Sequence, residues 1–281
     1  MNQVLKAAVV IVPILLVLLL LHACTGRDGR RWESKLQGYD PRAQLVEDSA
    51  ELVVVASDPK WGRAAGRHAL AYKRFLAARY GDLLGKGRDR RLLFLAFSTT
   101  EQMQRYHTDK TGDRTHPGGF HDPSRGAIFL SVESSISTIR HETVHLLMSE
   151  SDRRDMRLSP WLIEGIPEAF SRVDPARPKI GPGIPETDRE WVRTTYRRQR
   201  LDLHRLLTIE DYEVFWRDPE RNYRDARSLV AFLLRTRPET FAEYLGYERR
   251  SETGRAKAFR ELFRTADPRF GNELNAFLTE K

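Results

Sequence analysis

The chain has 281 residues, 40% of them hydrophobic and 10% aromatic, a composition that supports a substantial core and excludes a disordered or fibrous protein. Its 47 Lys and Arg against 39 Asp and Glu give a net charge of +8, but the cations fall in small groups (27–31, 86–91 and 197–200) interleaved with acids. No basic stripe follows one element, so nucleic acid is not an expected partner, and the single cysteine, Cys24, excludes an intrachain disulfide.

Residues 7–21 (AAVVIVPILLVLLLL) are fifteen apolar residues in a row behind Lys6. The run is long for a signal-peptide core and short of the roughly 20 residues of an independent membrane helix. Leu21-His22-Ala23-Cys24 resembles the bacterial lipoprotein processing site, with Cys24 as the lipidated residue, although His22 departs from that pattern. Residues 1–23 are therefore expected to be either a cleaved lipoprotein-type signal or an uncleaved anchor. Either places the protein in the cell envelope, membrane-anchored and facing periplasm or exterior; with Thr25 after the cysteine, the resemblance implies an outer membrane where one exists. Residues 24–48 are polar and read as a tether with no share in the core, leaving 49–281 as the folded domain.

Within that domain the β-branched stretch 51–56 predicts a buried strand. Ala65, Ala69, Tyr72, Leu76, Tyr80 and Leu83 recur at spacings of three and four, predicting an amphipathic helix over 63–84 that Gly85 and Gly87 stop. A strand at 92–97 and a helix over 98–107, capped by Ser98 or Thr99, follow. Residues 108–126 are rich in Gly and Pro and read as a loop. The strand expected at 127–132 offers an edge to an extended peptide. Beyond 150 the β signals fade: 175–185 carries four prolines and reads as irregular, and helices are expected around 226–234, 256–264 and 272–278. The expected class is α+β, a sheet-containing half (49–150) and a helical half (151–281) with a metal site between them.

His141-Glu142-Thr143-Val144-His145 has the form HExxH. Residues four apart on a helix share one face, so both imidazoles can reach one cation while Glu142 stands beside it as a general base for water. Ile136, Ile139, Thr143 and Leu146 fall on the opposite face and are expected in the core. A metzincin-type third histidine is excluded, since Met148 and Ser151 stand where Gly and His would be required. Glu164, in the segment PWLIEGIPE (160–168), follows His145 after eighteen intervening residues, and two His with one carboxylate leave a position open for water.

HETVH followed by WLIEG resembles the gluzincin zinc metallopeptidases, and most closely the bacterial peptidase-MA-like proteins (the DUF1570 group), which also carry a Gly-Phe segment before the motif, here Gly119-Phe120-His121-Asp122. The resemblance spans about residues 50 to 245. It implies a zincin-like fold, a Zn²⁺ cofactor held by His141, His145 and Glu164, and a peptide or protein substrate. By similarity Glu168 would accept the far N–H of His141, and Tyr223 would donate to the developing oxyanion, with His204 as the alternative donor. Pro167 departs from the family pattern, so the helix would either begin close to Glu164 or be kinked. The Gly-x-Met-Glu-Asn segment that captures a free amino group in the aminopeptidases is missing, which argues against amine-directed exopeptidase activity. His107, His116 and His121 fit no metal spacing and read as scattered loop histidines.

The expected activity is membrane-tethered peptide-bond hydrolysis by a metal-activated water with Glu142 as base. A catalytically inert zincin-fold binding or assembly lipoprotein is the alternative. A lipid-surface or cell-wall module with an accidental HETVH is a third reading.

Overall fold

The computed structural model describes residues 28–85, 90–112, 118–151, 158–176, 182, 184, 186–198, 200–251 and 253–279. The apolar segment, Cys24 and His116 lie outside these residues, among which no helix is long and apolar enough to cross a membrane. The fold is α+β, in two compact units. The described residues of Met1–Leu70 and Asp89–Ser135 form the first, and those of Ala71–Arg88 and Ile136–Lys281 the second. The HExxH motif thus belongs to the helical unit, ahead of the division at residue 150 that the sequence suggests.

The first unit begins with helix α1 (28–37), followed by β1 (Gln44–Asp48), β2 (Leu52–Ala56), helix α2 (Pro59–Leu84), β3 (Leu92–Phe97), α3 (Thr100–Thr111), β4 (Phe120–Asp122) and β5 (Ala127–Ser131). The strands order as β1-β2-β3-β5-β4, with β2, β3 and β5 parallel and the two outer strands antiparallel. All residues of β2, β3 and β5 are buried, as expected of parallel strands covered on both faces. On one face Val53, Val55, Leu93, Leu95, Phe97 and Phe129 pack with Leu36, Met103 and Tyr106 from α1 and α3. On the other face α2 approaches closely: a Cβ on Gly66 would stand 2.7 Å from Val54 Cγ2. The capping box of Thr99 with Gln102 starts α3, and Gly112, at φ 74°, ends it.

Three expectations are corrected here. Residues 24–48 are more than a tether, because Leu36 and Ala43 are buried in the sheet core and β1 lengthens the sheet. The stretch 108–126 holds the end of α3 and the whole of β4. Because β4 pairs with β5, the outer edge on that side is β4, and the strand at 127–131 has no free edge for a peptide. His107 is buried against Phe120, with ring centroids 4.8 Å apart, and His121 lies in β4.

The second unit takes the C-terminal part of α2 and then α4 (Ile136–Ser151), α5 (Pro160–Phe170), α6 (Glu186–Arg198), α7 (Leu203–Leu207), α8 (Tyr212–Phe215), α9 (Pro219–Thr236), α10 (Pro238–Arg250), α11 (Arg255–Leu262) and α12 (Pro268–Thr279). Its core is built from Val144, Leu147, Trp161, Leu162, Phe170, Leu229, Val230 and Phe232, with aromatic side chains from α10 to α12. Pro238 stands just past the end of α9 and opens α10, a helix the sequence reading did not include, in the first-turn position where proline loses no helix hydrogen bond. Ile139, Thr143 and Leu146 are buried as expected, whereas Ile136, at the first position of α4, is 52% exposed.

Candidate metal centre

α4 presents His141 and His145 one turn apart, their Nε2 atoms 3.0 Å from each other. α5 brings Glu164 to the same point: its Oε2 lies 3.3 Å from His141 Nε2 and 3.4 Å from His145 Nε2. In a tetrahedral zinc site with bonds of about 2.0–2.1 Å, neighbouring ligand atoms stand roughly 3.3 Å apart, so this triangle has the edges of a cation site. Glu164 Oε2 is buried and accepts no well-aligned hydrogen bond among the described residues, leaving a carboxylate oxygen facing two imidazole nitrogens. The donor set fits a divalent metal of zinc's preferences.

Why Glu164 arrives there is local. α5 opens with Pro160 in its first turn, and Ser159 is held by the fully buried Glu248, whose Oε2 accepts from the Ser159 backbone N–H at 3.1 Å and from Arg255 Nε at 3.1 Å. Gly165 lets α5 lie directly on α9, since a Cβ there would stand 2.9 Å from the Ala226 carbonyl oxygen. The helix begins four residues before Glu164, so Pro167 sits in its interior and leaves the Ile163 carbonyl without its helix donor. Of the two alternatives that Pro167 left open, a start close to Glu164 with the proline in the first turn is thereby excluded.

Around the triangle, Glu168 Oε1 stands 3.1 Å from His141 Nδ1, and Arg227 Nη1 lies 3.8 Å from Glu168 Oε2. Burial opposes a charge on His141, but the Glu164, Glu168 and Glu142 carboxylates outweigh it and hold the imidazolium well above the usual histidine range. Burial likewise opposes charge on Glu164 and Glu168, yet the facing histidines lower both below the usual carboxylate range. Glu142 is buried on α4, and its charge acts on both His141 and Tyr223.

Tyr223, in the first turns of α9, stands beside Glu164, whose charge acts on its hydroxyl, with its ring centroid 6.3 Å from that of His141. Burial, then the Glu164, Glu142 and Glu168 charges, push its pKa up, so it stays a donor. The phenol that does donate to Glu164, at Oε1, is that of Tyr212 in α8. Tyr212 was not foreseen: α8 has four residues and no periodicity, and the only clue is the Asp211 cap whose side chain accepts from the Glu213 N–H. His204, the alternative donor, is exposed on α7.

No curated protein matches the chain. Residues 135–253, which carry His141, Glu142, His145, Glu164, Glu168, Tyr212 and Tyr223, match the model of a family described as "Protein of unknown function (DUF1570)", the group that the two metal segments resemble.

Proposed function

We propose that the protein is a zinc-dependent peptidase of gluzincin type, tethered to a membrane by its N-terminal segment. The observation that carries the reading is the closed triangle of His141, His145 and Glu164, with a buried carboxylate oxygen that lacks a well-aligned donor. A zinc ion held there supplies Lewis acidity toward a scissile carbonyl and makes a neighbouring water more acidic. Glu142, buried on the same helix as both histidines, takes the proton from the attacking water and passes it to the leaving amine. Tyr223 keeps its proton and donates it in a hydrogen bond to the oxygen that gains charge. Glu168 Oε1, 3.1 Å from His141 Nδ1, favours the tautomer protonated at Nδ1 and so leaves Nε2 free for the metal.

The apolar run at 7–21 and Cys24 support the tether and a cell-envelope location. The test is a cleavage assay on an unstructured protein such as casein, with metal content measured alongside. Glu142→Gln is expected to lower turnover by about 10²–10⁴-fold while zinc content stays at the wild-type level. Equal turnover in the variant excludes the base role. A zinc-loaded wild type that cleaves nothing across a broad peptide library favours an inert zinc-binding scaffold.

A further inference from the structure

The sheet unit contains a cleft of about 280 Å³ that takes no part in the chemistry above. Its floor is Val53 of β2 and Leu93 of β3, one wall is the first turns of α1 with Asp28, Arg31, Trp32 and Lys35, and Arg91 and Arg125 close the rim. Two of the four cations are neutralised: Arg91 by Asp48, and Arg125 by Asp122. Arg31 and Lys35 form no ion pair with a carboxylate among the described residues. Lys35 Nζ instead rests over the Trp32 ring, 4.2 Å from its centroid. Burial first, then the charges of Arg125, Lys110 and Arg31, with Asp122 opposing, hold the Lys35 pKa below its ordinary value.

We propose that this cleft binds a phosphate-bearing anion through Arg31 and Lys35, with Trp32, Val53 and Leu93 against the apolar part of the ligand. An arginine fork and a lysine point charge converging on one concavity suit a tetrahedral oxyanion, and the uncompensated charge concentrates anions at its mouth. The placement along the chain favours an anionic phospholipid headgroup as the source. Only six residues separate Leu21, the end of the apolar run, from Asp28 at the cleft, and the seven Cα-to-Cα steps reach at most about 25 Å. This choice of source rests on the membrane tether proposed above; the phosphate site itself does not.

The test uses the full chain in neutral detergent, titrated with dihexanoyl phosphatidylglycerol, with inorganic phosphate, and with dihexanoyl phosphatidylcholine as the zwitterionic control. Saturable binding of about one phosphatidylglycerol per chain is expected, weakened at least about tenfold in Arg31→Gln/Lys35→Gln and retained in Arg31→Lys/Lys35→Arg. Displacement by inorganic phosphate supports recognition of the phosphate group alone; resistance to it supports the lipid headgroup. His145→Ala is expected to bind as wild type does, which separates this site from the zinc reading. Unchanged binding in the Gln variant, with its melting temperature preserved, or no binding of either anion at millimolar concentration, overturns the proposal.

Discussion

His141 is the side chain on which the charges of the centre converge. Its Nε2 faces Glu164 and His145 and its Nδ1 faces Glu168, so in the metal-free chain it holds a proton well above the ordinary histidine range. A folded-state pKa raised in this way contributes stability that is complete below the unfolded pKa and is lost as pH rises through the folded value. Zinc must displace that proton, so the metal and the proton compete, and the increase in melting temperature on adding zinc is predicted to grow between about pH 6 and about pH 8. Thermal melts with and without zinc across that range check it, and a shift that shrinks with rising pH contradicts it. Tyr223→Phe is predicted to lower turnover about 10²-fold with zinc content unchanged, measured as kcat beside metal analysis. His141 and His145 could be read from the sequence as candidate metal ligands because four-residue spacing on a helix is a local property. The Tyr212 contact with Glu164 could not, because it depends on how a four-residue helix 48 positions away folds back.

Among the elements, α5 is the one on which the site depends. It carries Glu164 and Glu168, is fixed at its start by the buried Glu248, and lies on α9 through Gly165. Gly165→Ala is predicted to force the two helices apart, costing about 1–3 kcal/mol and displacing Glu164 from the histidines. A denaturant melt together with zinc affinity reads both effects, and wild-type values for both would contradict the close approach. The strands β2, β3 and β5 were plain in the sequence as short continuous apolar runs. The helix over 28–37 was not, because its charged residues and Gly29 mask the few that reach the core, Trp32 and Leu36. Helix α10 was missed as well: Pro238 marks the end of the α9 pattern and also begins the next helix, which packs on α9 and α11.

At the scale of the whole molecule, the chain assigns its tasks to two units. The sheet unit begins close behind the apolar N-terminal segment and carries the cationic cleft, while every residue of the metal triangle comes from the helical unit. The α+β class followed from the fading of β signals beyond residue 150, and in the structure the last strand, β5, ends earlier, at Ser131. The division itself was less legible, since α2 (Pro59–Leu84) crosses the boundary at residue 70 within its helical stretch and kinks only later, at Tyr80. The proposed activity stands on the triangle of His141, His145 and Glu164 holding zinc, so the most direct measurement is elemental analysis of the purified full chain beside Glu164→Ala. About one zinc per chain in the wild type, falling sharply in the variant, is the predicted result. Zinc missing from the wild type, or equally abundant in the variant, would contradict it.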